Sequence, residues 1–131
     1  MPTSKFRVLC TEDDLDIREL IALILKGQSC EVISSASGAE ALRLAKTQHF
    51  DLYLLDNWLP DRSGIDLCRE LRSFDAKTPI VFYSGAAYDK KQQALEAGAQ
   101  AYLIKPADVN ELVRTILRLI ASSQSSFARS A

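Results

Sequence analysis

Four apolar runs end in residues able to do polar chemistry. The run FRVLCT (6–11) leads into Glu12, Asp13 and Asp14, and LYLLD (52–56) closes on Asp56. IVFYS (80–84) closes on Ser84, followed by Gly85 and Ala86, and AYLIK (101–105) closes on Lys105, followed by Pro106. Acids, a hydroxyl and an ammonium on one edge form a reactive set. Two carboxylates ~4 Å apart repel by roughly 4 kcal/mol at an effective dielectric of 20, so a cation must offset them. Hard oxygen ligands favour Mg²⁺ or Mn²⁺ over zinc, and Mg²⁺ also binds substrate phosphate. An aspartate beside such an ion and a lysine can attack phosphorus and become an aspartyl phosphate. Lys105, the Ser84 hydroxyl and the ion would then share the charge of the phosphoryl oxygens.

These residues meet only if the runs are strands of one sheet. Short apolar runs recur at 6–11, 30–34, 52–56, 80–84 and 101–105, with amphipathic stretches between them. The third and fourth are apolar on consecutive residues, as strands buried on both faces require. Ile17, Leu20, Ile21 and Ile24 fall on one helical face, as do Val109, Leu112, Val113, Ile116 and Ile120. Ser37 with Glu40, and Asp108 with Glu111, read as capping boxes; Gly27 and Gly98 read as helix stops. The alternation predicts an α/β fold, a doubly wound parallel sheet with helices on both faces. Ligands of such sheets bind beyond the carboxyl ends of the strands, where the reactive set lies.

Taken singly, each signal has an ordinary reading. Glu12, Asp13 and Asp14 suit a helix N-terminus, and Asp56 suits a turn before Pro60. Ser84-Gly85 suits a loop, and Lys105-Pro106 a strand exit. The joint order, acids after the first strand, Asp after the third, Ser after the fourth and Lys-Pro after the fifth, is far more specific.

The 131 residues suit one domain, expected over 1–121, with a polar tail at 122–131 expected to be disordered. The formal net charge of −1 and the scattered Lys and Arg give no sign of a nucleic-acid or anionic-membrane surface. No apolar stretch approaches the ~20 residues of a membrane span, and no secretory signal precedes Phe6. Cys10, Cys30 and Cys68 lack metal-ligand or CxxC spacing and read as small core residues, which fits a cytoplasmic protein. His49 precedes the third strand, at the opposite end of the sheet from the acids. The chain therefore offers no phosphodonor histidine of its own.

RVLCTEDDLDIREL, DLYLLDNWLPDRSGIDLCRELR, TPIVFYSGAA and ALEAGAQAYLIKP together resemble the receiver domain of response regulators, over residues 5–121. The resemblance implies a flavodoxin-like strand order 2-1-3-4-5 and a phosphorylation-controlled switch of two-component signalling. It implies that Asp56 accepts the phosphoryl group, with Asp13 a direct Mg²⁺ ligand, Glu12 acting mainly through water, and the Trp58 carbonyl a further ligand. Ser84 and Lys105 would grip the phosphoryl group, and Tyr102 would turn inward when Ser84 is drawn to it. The peptide before Pro106 would be cis. The donor would be a sensor histidine kinase or a histidine phosphotransfer protein. The fourth helix, fifth strand and fifth helix would be read by an output protein of unknown identity. Three departures from the family pattern are Glu12, where Asp is commoner, Ser63, where Asp is frequent, and Trp58, bulky for its place beside the phosphorylation site and expected to shield the acyl phosphate from water.

Two rivals share parts of this pattern. A phosphohydrolase with an aspartate nucleophile of the haloacid dehalogenase type would carry a second Asp two positions later, where Trp58 stands. A flavin-mononucleotide carrier would need a Ser/Thr/Gly-rich phosphate loop at 11–14, where TEDD would repel phosphate. Residues after 121 are too few to fold as an output domain. Met1 and the polar tail favour a stand-alone regulator over a receiver cut from a longer protein. Such a switch would catalyse only its own phosphorylation and dephosphorylation.

Overall fold

The structure, a computed structural model, describes residues 6–85, 88–105 and 109–130. The apolar runs form five strands: β1 (Phe6–Thr11), β2 (Cys30–Ser35), β3 (Leu52–Leu55), β4 (Ile80–Ser84) and β5 (Ala101–Ile104). They pair in parallel in the order β2-β1-β3-β4-β5. Five helices connect them: α1 (Leu15–Lys26), α2 (Gly38–Thr47), α3 (Gly64–Arg72), α4 (Tyr88–Glu96) and α5 (Val109–Ser130). This is the doubly wound, flavodoxin-like arrangement expected from the sequence.

Alternation along each strand sorts side chains onto two faces. Leu9, Leu55 and Phe82 pack with Leu67, Leu71 and Ala94 of α3 and α4. Val8, Cys10, Leu54 and Val81 pack with Ile21, Leu25, Leu112 and Ile116 of α1 and α5. Burying both faces of β3 leaves its carboxyl end as its route to solvent, which places Asp56 at the sheet edge.

Caps set where the helices begin. Asp14 caps α1, accepting from the amides of Asp16 and Ile17 at 2.9 and 3.2 Å. Ser37 caps α2 by accepting from the Glu40 amide. Gly27 closes α1. Gly98, at φ +115°, follows α4 in a conformation that favours glycine. The Asp108 capping box lies outside the described residues.

The amino edge of the sheet is fastened by Arg72. Its guanidinium donates to the carbonyls of Asp75 (2.9 Å), Thr78 (2.8 Å) and Gly98 (2.9 and 3.1 Å). It also reaches Oε1 of Gln100, which accepts from the Ile80 amide. Beside it, the Asp75 carboxylate accepts from the Tyr53 hydroxyl (2.8 Å), the Thr78 hydroxyl (2.7 Å) and the amides of Lys77 and Thr78.

Two expectations fail. Leu20 is 48% exposed, whereas Leu25 takes the buried place. The buried line of α1 runs through Ile21 and Leu25, one helical turn apart, and Leu20 lies about 100° around the helix from it. The tail expected to be disordered from Ser122 instead continues α5 to Ser130. No Gly or Pro interrupts it, and Leu112, Ile116 and Ile120 already anchor the helix in the core. The Gln124 amide further donates to Asp51 Oδ1 at 3.4 Å. Among the described residues, no helix is long and apolar enough to cross a membrane.

Candidate phosphoacceptor site

β1 delivers Glu12 to the carboxyl edge, where its amide donates to the Ser35 carbonyl at 3.0 Å. Asp14 is committed to capping α1, so Glu12 and Asp13 are the acids left to face the edge. The Asp56 amide donates to the Thr11 carbonyl at 3.0 Å, fixing the end of β3 beside β1. Glu12 is buried, Asp13 is exposed, and Asp56 is 6% exposed. Carboxylate oxygens of the three lie within 4.8 Å of one another.

Lys105 Nζ is 2.7 Å from Glu12 Oε1 and 3.7 Å from Asp56 Oδ2. Burial alone would lower its ammonium, but Glu12 and Asp56 outweigh burial and raise it. The Ser84 hydroxyl donates to Asp56 Oδ1 at 2.6 Å and accepts from the Asn57 amide at 3.2 Å. Burial would raise the Asp56 carboxyl. Contacts with Glu12 and Ser84, the charge of Lys105 and the Trp58 amide instead hold it below its ordinary value. Burial, then Asp56, pushes Glu12 up to about 8 against the pull of Lys105.

These residues suit a hard divalent cation. Glu12 Oε2 is buried with no hydrogen-bond partner, and one ammonium faces three carboxyl groups. A buried carboxylate oxygen without a donor is costly, and an all-oxygen donor set matches Mg²⁺ or Mn²⁺. The sulfur groups do not compete: Cys10, Cys30 and Cys68 are buried and free. Burial pushes the Cys10 thiol up to about 12.

Trp58 covers this corner. Its amide points to Asp56 Oδ1 at 3.4 Å, and its indole N–H donates to the Gly85 carbonyl at 2.8 Å. The side chain is 58% exposed, so it spans the mouth between the β3–α3 and β4–α4 loops instead of entering the core. Tyr102 is 4% exposed and stacks on Phe82, with centroids 5.4 Å apart. Pro106 lies outside the described residues. His49 is at the amino edge, beside Asp51. A groove of about 730 Å³ near it, lined by His49, Lys77 and Gln124 among others, holds none of the predicted site residues.

Three residues escaped sequence reasoning. Asn57, buried, accepts from the Ile65 amide through Oδ1 and from the Gly64 amide through its carbonyl. Asp61 accepts from the amides of Gly38 and Ala39 on α2. Gly64 packs against Asp56 so closely that a Cβ would collide with the Asp56 carbonyl. The sequence signal was a polar residue next to Asp56 inside an apolar context, and an acid and a glycine in the turn PDRSG.

The response regulator receiver domain family matches residues 8–117. The cell cycle response regulator CtrA of Brucella ovis is 40% identical over 119 residues, covering 90% of this chain and 51% of the relative. The chain therefore spans about half the length of the curated relatives it matches. Among solved structures, the Francisella response regulator 1452 receiver domain superposes with a TM-score of 0.86 at 28% identity, covering 91% of this chain and 99% of that one. The response regulator TrrA of Thermotoga maritima, in complex with Mg²⁺-BeF, superposes with a TM-score of 0.80 at 26% identity, covering 87% and 98%.

Proposed function

Because this chain belongs to the response regulator receiver domain family, a family of two-component signalling, we propose that it is a switch phosphorylated on Asp56. The observation that carries this reading is the convergence on Asp56 of Ser84 at 2.6 Å, Lys105 at 3.7 Å and the two acids Glu12 and Asp13. The depressed Asp56 carboxyl is ionised near neutrality and can act as a nucleophile.

An Asp56 oxygen attacks the donor phosphorus. The new P–O bond forms as the donor's P–N bond breaks, and the electron pair leaves with the imidazole. With an acyl phosphate the P–O bond breaks and the pair leaves with the carboxylate. Lys105 balances the developing charge, and the Ser84 hydroxyl turns from Asp56 Oδ1 to a phosphoryl oxygen. Water attack on the same phosphorus breaks the P–O bond to Asp56, releasing inorganic phosphate and returning the free carboxylate. Glu12, Asp13, Asp56 and the Trp58 carbonyl would hold Mg²⁺ or Mn²⁺, which supplies further charge neutralisation when bound. The chain transforms no external metabolite in this scheme.

The donor is a sensor histidine kinase or a histidine phosphotransfer protein. Leu15, Leu20 and Leu23 are exposed on α1, the helix that starts beside the acids, and give such a donor apolar surface to dock on. Output passes through Ser84 and Tyr102 to the α4–β5–α5 face, where Leu95 and Ile104 are exposed and an unidentified output protein reads the change. Direct binding of nucleic acid or membrane is not part of this reading, and the setting is the cytoplasm.

Incubation with Mg²⁺ and a small acyl phosphate should add one phosphoryl group by intact mass, and Asp56→Asn should add none. Equal labelling of the Asn variant would remove Asp56 as the acceptor.

A further inference from the structure

We propose that Asp61 is a positioning residue for the divalent-cation site, clamping the acceptor loop to α2 and through it to Glu12. The proposal rests on the phosphoacceptor reading above. Asp61 lies five residues past Asp56, beyond Pro60, and does not belong to the acidic cluster. Its two carboxylate oxygens separately accept from the Gly38 amide (2.8 Å) and the Ala39 amide (2.9 Å) at the start of α2. A loop of one crossover is thereby fixed to the helix of another, 23 residues away in sequence.

The clamp continues in both directions. Towards β1, the Ser35 hydroxyl donates to the Ser37 carbonyl at 2.8 Å, and the Ser35 carbonyl accepts from the Glu12 amide at 3.0 Å. Towards the acceptor, Trp58 and Ser63 form an antiparallel bridge that closes the loop around Asp61. Within that closure the Gly64 amide donates to the Asn57 carbonyl at 2.9 Å. Arg62 stiffens the clamp, bonding Asp61 Oδ2 at 3.3 Å and the Glu70 carboxylate while its aliphatic stem lies on Gly38. The separation of Glu12 from the Asp56–Trp58 segment is therefore set by side-chain bonds as well as by the β1–β3 pairing.

Mg²⁺ tolerates little departure from octahedral geometry. Groups that orient ligands from outside the coordination sphere characteristically change metal affinity by ~10-fold or more. Loss of the Asp61 clamp should therefore appear as weaker Mg²⁺ binding with the chemistry at saturating Mg²⁺ little changed. A residue that merely caps α2 would lower stability alone.

The test compares wild type, Asp61→Ala and Asp61→Asn, whose amide oxygen keeps one of the two bonds. Mg²⁺ is titrated while the emission of Trp58 is followed, and the Mg²⁺ dependence of labelling by acyl phosphate is read by intact mass. Melting is recorded in chelator. The expected result is a half-saturating Mg²⁺ concentration raised roughly tenfold in Asp61→Ala and less in Asp61→Asn, with the labelling rate at saturation preserved. An unchanged half-saturation alongside a lower melting temperature would overturn the proposal and leave Asp61 a helix cap. If Asp61→Ala does not fold, Asp61→Asn carries the same comparison. A wild type that neither responds to Mg²⁺ nor takes a phosphoryl group overturns the underlying reading, and is distinguishable because no variant is involved.

Discussion

The Ser84 hydroxyl stands 2.6 Å from Asp56 Oδ1 and receives the Asn57 amide at 3.2 Å. Because that amide can only donate, the hydroxyl uses a lone pair there and directs its proton at the carboxylate. Ser84 is thus coupled to the charge on Asp56 before any phosphoryl group is present. On the proposed reading, phosphorylation would move that charge outward and add acceptors, and the hydroxyl would follow them.

Ser84→Ala removes the donor and leaves the Asn57 amide without its acceptor. The variant should still accept a phosphoryl group, but more slowly. If Ser84 relays the change to Tyr102 as proposed, its α4–β5–α5 face should no longer respond. Ser84→Thr should stay near wild type. Hydrogen exchange before and after labelling reads this, and equal changes in Ser84→Ala and wild type would take Ser84 out of the relay.

Trp58→Phe keeps a ring over the mouth but deletes the bond to the Gly85 carbonyl. If the indole shields the acyl phosphate, Trp58→Ala should dephosphorylate faster than wild type and Trp58→Phe should fall between them. In wild type, the emission of Trp58 should change saturably on adding Mg²⁺ and again on phosphorylation. A lifetime unchanged in Trp58→Ala would end the shielding role and leave the metal site intact.

Asp13→Ala relieves repulsion with Glu12 and Asp56 when no cation is present. Asp13 is exposed, so the gain in melting temperature in chelator should be small. Labelling by acyl phosphate should nevertheless fall sharply. A lower melting temperature in chelator would assign Asp13 a structural role instead.

Asp75 makes acid stability testable away from the reactive site. Burial alone would raise its carboxyl, but hydrogen bonds from Thr78, Tyr53 and Lys77 outweigh burial and lower it. Near its unfolded pKa the folded state therefore binds fewer protons than the unfolded chain. Its contribution is present above pH ~4 and is lost as pH falls through the lowered value. Asp75→Asn should cost about 2 kcal/mol at neutral pH and flatten the acid limb of a stability–pH curve. An acid limb as steep as that of wild type would place the titrating group elsewhere.

The strands were legible because burial on both faces leaves unbroken apolar runs. Asp56, Ser84 and Lys105 were legible because each interrupts such a run at its carboxyl end. The run Glu12-Asp13-Asp14 could not be divided by inspection: Asp14 becomes the α1 cap only once the helix start is fixed by packing. Asn57 and Asp61 were not foreseen because their partners, Ile65 and Ser84 for one and Gly38 and Ala39 for the other, are set by tertiary packing. Leu20 misled because four apolar residues in about two turns of helix define a wider stripe than the sheet can cover. The tail misled because polar composition argues against a core but not against extending a helix already anchored in one.

Arg72 fastens the end of α3, the loop before β4 and the turn before β5 into one block at the amino edge. A lever needs a fulcrum, and this block supplies it. With the lower ends of β4 and β5 tied together, the proposed displacement at Ser84 would not be taken up by the strands sliding past one another. On the proposed relay, the displacement would be felt at the upper rim. Loosening the fulcrum, as Arg72→Ala would, should blunt the signal without touching any atom near the acceptor.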